Sequence, residues 1–228
     1  SRKFHLARQI ALLEYDDLLG LLTDVPALST EASRDLGRVV LSNYFAAAVL
    51  MPYEKFFKNV KQQRYDIEIL CDRFNASFEQ VCHRLTTLRR PGAEGIPLHM
   101  VRIDIAGNIS KRLSTSGLHF PRFGTGCPRW AVYKAFLTPD QIRGQVSRDT
   151  DGRVFFCIAR TVRKTVGGYQ TLPQARHAVG LGCPVENASE MVYADQIAID
   201  EDTLRAGDRI EVSGLRLRVK KAIYDELE

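Results

Sequence analysis

The chain has 228 residues, 45% hydrophobic and 26% charged, with a formal net charge of +5 and a pI near 9.0. That length holds one large domain or two small ones with real cores, and the composition excludes both a disordered and a membrane-embedded chain. No apolar run approaches the roughly 18 residues a bilayer span needs, and five cysteines fit no secreted disulfide framework. The expectation is a cytoplasmic protein with no membrane partner, whose modest positive charge suits an anionic ligand.

Leu6, Ile10, Leu13, Leu18, Leu21 and Leu22 recur at helical steps, which predicts one helix from Phe4 to Leu22. Pro26 marks a break, Ser29 or Thr30 can cap a second helix, and Pro52 ends it at about Met51. A short third helix follows over Tyr53 to Gln62. Ile67 and Leu70 begin the next helix, Phe74-Asn-Ala76 makes a turn, and Ser77 with Gln80 forms a capping box for the last. This pair over 66–90 has a helix-turn-helix outline, although an ordinary helix pair on a helical core fits it better.

The segment PGAEGIP, Pro91 to Pro97, divides helical sequence from β sequence. Val101, Ile103 and Ile105 alternate with polar residues, Ala106-Gly-Asn108 supplies a tight turn, and Ile109 to Leu113 continues as a second strand. An irregular stretch rich in Gly and Pro then leads to Trp130. Thr138-Pro-Asp140 reads as the start of a short helix, Arg153 to Val162 and His177 to Leu181 as strands, and Ala188 to Tyr193 as a helix. The strict alternation over Arg209 to Val219 predicts a terminal hairpin. The order fits an α+β chain: a helical domain over 1–92, then a small antiparallel sheet over 96–228 of the GAF or PAS kind.

Chemistry concentrates in the second half. The pattern G-x-G-C-P occurs at Gly124-Thr-Gly-Cys127-Pro and again at Gly180-Leu-Gly-Cys183-Pro. Glycines before a cysteine expose N–H groups to a thiolate, as in iron–sulfur loops; tight turns that end in buried thiols remain the other reading. Cys71, Cys82 and Cys157 sit in helix or strand contexts and read as core residues. Lys111, Arg112, Arg122, Arg160 and Arg163, interleaved with His119, Phe120, Phe123, Trp130 and Tyr133, offer cations and aromatics to a nucleotide-like ligand such as coenzyme A. A thiol nucleophile at Cys127 with His119 lacks an orienting third group.

Five strings, SNYFAAAVLMPYEKF, RFNASFEQVCHRLTTLRRPG, AGNISKR, CPRW and GLGC, resemble the short-chain fatty acyl transcriptional regulators, and within them the regulators of propionate use through the methylcitrate cycle. The helical half also resembles the IrrE/ImmA-like metallopeptidases, with Arg8, Gln9 and Leu12 standing where their His-Glu-x-x-His zinc motif would be. The resemblance implies a degenerate peptidase domain, without enzyme activity, joined to a sensory domain that binds a short-chain acyl-CoA. It implies a [4Fe–4S] cluster with Cys127 and Cys183 among its ligands, whereas after Tyr193, where the family supplies further cysteines, this sequence has none. It also implies a homo-oligomer that reaches DNA through an N-terminal domain absent from this chain. The alternatives are a cysteine-dependent acyl-thioester hydrolase and direct DNA contact through 66–90.

Overall fold

In the computed structural model, residues 2–120, 131–149, 151–163, 176–196 and 210–212 are described, and they divide into two compact units. The first comprises 1–62 and 67–84; the second comprises 63–66 and 85–228. Among the described residues no helix is long and apolar enough to cross a membrane.

The first unit is helical: α1 (Arg2–Glu14), α2 (Asp16–Thr23), α3 (Glu31–Leu50), α4 (Tyr53–Gln62), α5 (Ile67–Phe74) and α6 (Phe78–Leu85). The single helix expected over Phe4 to Leu22 is broken at Tyr15, whose φ of −126° and ψ of 25° leave the helical region while its ring packs on Phe45. Thr30 caps α3, its hydroxyl accepting from the Ser33 N–H and its own N–H donating to Ser33 Oγ. Ser77 and Gln80 form the anticipated box before α6. Across the α1–α3 layer the buried residues are small, Ala7 and Ala11 on α1 and Ser42, Ala46 and Ala47 on α3, so the helices meet without large side chains between them.

The second unit is a six-stranded antiparallel sheet in the order β2-β1-β5-β4-β3-β6. Its strands are β1 (His99–Asp104), β2 (Ile109–Ser114), β3 (Arg143–Arg148), β4 (Val154–Arg163), β5 (Arg176–Pro184) and β6 (Ile210–Val212). Gly107, at a φ of 89°, makes the β1–β2 turn, where Asp104 accepts from the Asn108 backbone and side chain. Two differences from the sequence reading stand out. The helix expected from Thr138 lies earlier, as α7 (Ala131–Lys134) and a 3₁₀ turn over Ala135–Leu137, because Asp140 adopts a φ of 67° and turns the chain into β3. The helix expected over Ala188 to Tyr193 is a pair of 3₁₀ turns, Val185–Glu190 and Val192–Gln196. Most of the terminal hairpin expected over 209–219 lies outside the described residues; strand β6 is its described part.

Register places Val101, Gly180 and Ala159 in one cross-strand row, with His99, Gly182 and Cys157 in the next. That face carries α7: Val101, Ile103, Ala159 and Ala178 pack with Ala131, Val132 and Ala135. The opposite face buries Met100, Phe156, Ile158, Leu181 and Cys183. A Cβ on Gly180 would run into Val132 Cγ1 and stand 3.2 Å from Val101 Cγ1. Gly180→Ala is therefore expected to overpack this layer and destabilise the sheet unit by about 1–3 kcal/mol. The melting temperature should fall by about 2–4 °C per kcal/mol in a scanning-calorimetry comparison with wild type.

Candidate functional site

The α7-bearing face of the sheet also holds a largely buried polar row. His99, 3% exposed at the start of β1, lays its imidazole across Gly182, with Nδ1 2.8 Å from Ser116 Oγ and Nε2 3.3 Å from Cys157 Sγ. A Cβ on Gly182 would overlap His99 Nε2 and come within 2.7 Å of Cys157 Sγ, so only glycine permits this contact. Phe120 and Phe155 close the row edge-on, their ring centroids 6.0 and 5.5 Å from the imidazole. Burial pulls the His99 pKa down from 6.5 to about 3, and burial pushes the Cys157 thiol up to about 12. Both groups are neutral near pH 7. A neutral imidazole needs one acceptor and one donor; Ser116 Oγ at Nδ1 and Cys157 Sγ at Nε2 meet both needs in either tautomer. This pair is a structural network and not a nucleophile with its base, since attack requires a thiolate.

Between α7 and strand β3 lies an open cleft of about 160 Å³, lined by Ala131, Lys134, Leu137 and Thr138 on one side and Arg143, Gly144 and Gln145 on the other. Arg143 Nε donates to Thr138 Oγ1 at 2.9 Å, which holds its guanidinium along the cleft wall. The wall continues to Asp140, which takes a 2.7 Å ion pair from Arg163, while its own N–H donates to Thr161 Oγ1. Leu137 is 80% exposed at the mouth. Two cations, a hydroxyl, an amide and an apolar lip suit an anionic group attached to an apolar one. The sequence reading missed Lys134, Leu137, Arg143 and Gln145, since nothing in RGQVSR marks it as a strand beside a helix.

Register also sorts the cations read from the sequence. Arg112 pairs with Val101, and Arg163 lies two positions beyond Thr161 on β4, so both stand on the α7-bearing face. Lys111 pairs with Arg102, which lies in one row with Val179 and Arg160, so these point the other way. His119 has its Nδ1 3.4 Å from Arg153 Nη2, and Phe120 packs on the α7-side core. Arg122, Cys127 and Trp130 lie outside the described residues.

Cys183 is fully buried, its thiol donating to Met191 Sδ at 3.8 Å, and burial raises its pKa strongly. Iron–sulfur ligation needs convergent thiolates. Among the described residues no three His, Cys, Asp or Glu side chains converge, and Cys127, the other expected ligand, lies outside them. In the helical unit Arg8, Gln9 and Leu12 occupy α1 without offering the imidazole or carboxylate donors that zinc takes. Arg84, within the 66–90 helix pair that offered direct DNA contact, is 1% exposed: its Nε donates to the Met51 carbonyl, and its guanidinium lies over the rings of Tyr44 and Tyr53.

Residues 87–210 match the family described as Short-chain fatty acyl coenzyme A regulator, C-terminal, and residues 1–86 match the IrrE N-terminal-like domain. The propionyl-CoA carboxylase regulator of Cereibacter sphaeroides is 45% identical over 195 residues, covering 86% of this chain and 42% of that protein. The HTH-type transcriptional regulator PrpR of Mycobacterium tuberculosis is 45% identical over 202 residues, with 88% and 41% covered. A solved Mycobacterium tuberculosis transcriptional regulator superposes with a TM-score of 0.84 at 42% identity, covering 90% of this chain and 62% of the other. The chain thus spans about 42% of the length of curated relatives such as the first.

The buried imidazole sets a pH dependence. Its folded pKa lies below its unfolded value, so its neutral form leaves stability intact above pH 6.5. Stability then falls as the pH drops, because only the unfolded chain takes up the proton. Between pH 6.5 and 5 the loss should be about 2 kcal/mol, at about 1.4 kcal/mol per unit. Urea titrations of His99→Gln should lack this slope, whereas an unchanged slope would place the histidine in contact with water.

Proposed function

The chain belongs to the short-chain fatty acyl coenzyme A regulator family, and from that membership we propose that it is the ligand-sensing region of a transcriptional regulator, taking a short-chain acyl-CoA on the α7-bearing face of its sheet. The observation that carries the reading is the cleft between α7 and β3, where Lys134 and Arg143 flank an apolar mouth at Leu137. Coenzyme A presents phosphates and a thioester arm, so its recognition calls for cations beside an apolar slot and for no catalytic acid. Arg112 and Arg163 share that face, Arg163 in its ion pair with Asp140; Lys111 and Arg160 belong to the other face and fall outside the reading. The relatives' names, among them a propionyl-CoA carboxylase regulator and an HTH-type transcriptional regulator, support a three-carbon acyl group and a DNA-binding segment elsewhere in the longer chain. Recognition by cations beside an apolar slot needs neither an iron–sulfur cluster nor turnover.

Calorimetry tests it. Propionyl-CoA should bind and free propionate should not. Arg143→Ala should weaken binding about ten- to a hundredfold, the loss of one charge-assisted hydrogen bond of about 1.5–3 kcal/mol, while Lys111→Ala and Arg160→Ala keep wild-type affinity. Equal binding of propionate, or steady release of free coenzyme A thiol, overturns the proposal.

A further inference from the structure

Residues 63–66 join α4 to α5 in chain order, yet they belong to the second unit and not to the first. Two of them, Arg64 and Tyr65, stand side by side in the left-handed region, at φ of 47° and 59°. Residues with a Cβ seldom adopt it, and bulky ones least of all. Such backbone persists where the surroundings over-determine it.

The surroundings here are specific. Both Nη atoms of Arg64 donate to the Asp195 carboxylate at 2.6 Å, and Nη2 donates also to the Ser189 carbonyl at 2.8 Å. The Arg64 carbonyl accepts from the Val192 N–H at 2.8 Å, and the Asp66 N–H closes the turn on the Gln63 carbonyl at 2.9 Å. Tyr65 is fully buried, its hydroxyl accepting from the Ile96 N–H at 2.8 Å. A bidentate guanidinium–carboxylate pair fixes orientation as well as distance. At half exposure its charge alone contributes little, so the dipeptide is held by the set of bonds and not by any one of them.

Those partners lie at one end of the sheet. Ser189, Val192 and Asp195 sit on the 3₁₀ turns that follow β5, and between the turns Met191 is fully buried and receives the Cys183 thiol. Ile96 stands just ahead of β1. The two strands pair antiparallel, His99 against Gly182, so the start of β1 adjoins the end of β5. A chain takes up motion at residues free to change φ and ψ. Arg64 is bonded through main chain and side chain, and Tyr65 through its buried hydroxyl, so a shift at this end of the sheet moves both.

We propose that residues 63–66 are a transmission element, which carries a change at the β1–β5 end of the sheet along the backbone into the last turn of α4 and the first turn of α5. Only the covalent chain is needed, because α4 ends at Gln62 and α5 begins at Ile67. The proposal is independent of the ligand reading: it concerns how a change is passed on and not what causes it.

Native-state hydrogen exchange on this chain, read by mass spectrometry, tests it. Gly180→Ala disturbs the sheet at a site outside the clamp. It should speed exchange about tenfold or more in the amides of β1 and β5, and those of 56–74 should follow. Arg64→Ala, at an exposed side chain, should leave the fold intact and preserve the response of the sheet, while abolishing that of 56–74. Arg64→Lys should act like alanine, because an ammonium cannot make the two-pronged bond. Val132→Ala, a smaller disturbance of the same layer, replaces Gly180→Ala if that variant does not fold. The proposal is overturned if 56–74 ignores the sheet variant while Arg64 is present, or responds equally once Arg64 is replaced by alanine.

Discussion

The sheet unit depends on two missing methyl groups. At Gly180 the strand surface lies directly under Val132, and at Gly182 it lies directly under the His99 ring. Interiors are close-packed and yield little, so a Cβ at either position would force a neighbour to move. With both absent, α7 settles on a floor of Gly180, Ala159 and Ala178, and the imidazole crosses β5 to reach the Cys157 thiol on β4. Burial then makes that network neutral, since desolvation disfavours the charged form of each group. The cleft against β3 exists because α7 is held low on the sheet and its 3₁₀ extension ends at Leu137.

The helical unit solves a related problem with alanine and one buried cation. Helix α3 ends at Leu50, and the carbonyl of its capping residue Met51, followed by Pro52, needs a donor. Arg84 supplies it from α6, with its guanidinium between two tyrosine rings at 5.7 and 5.6 Å. A cation near the C-terminal end of a helix is also favoured by the helix dipole. The segment that looked like a DNA-binding helix pair thus contributes its central arginine to the core. The close alanine packing of α1 on α3 has the opposite consequence outside: large residues that cannot fit between the helices are left on their outer surfaces.

In both units the packing of a familiar pattern is set by the particular side chains around it. In the G-x-G-C-P pattern at Gly180, the glycines make room for side chains of other elements, and Cys183 points to the opposite face against Met191. In α1, the turn that corresponds to a zinc-binding helix in the peptidases carries arginine, glutamine and leucine, and the helix serves as a packing element. Fold is retained in each case while the chemistry depends on the particular side chains present.

The sequence by itself determined what depends on neighbours in the chain. The caps at Thr30 and Ser77, the turn at Gly107 and the stop at Pro52 are set by residues close in the chain, and the alternation of β1 and the apolar run of β4 are written in the sequence itself, so propensity and period reveal them. Strand β3 was not legible, because RGQVSR has a single large apolar residue, Val146, and becomes a strand through its pairing with β4. The 3₁₀ turns after β5 were read as a helix for the same reason: their spacing is compatible with either, and contacts chose. The candidate site divides along the same line. Cations and aromatics in the second half were visible as an inventory, but period-two alternation puts adjacent residues such as Lys111 and Arg112 on opposite faces, and only the register of six strands decides which cations share one. The His99–Cys157 contact, the cleft of Lys134 and Arg143, and the burial of Arg84 join residues far apart in the chain, and only tertiary packing brings them together.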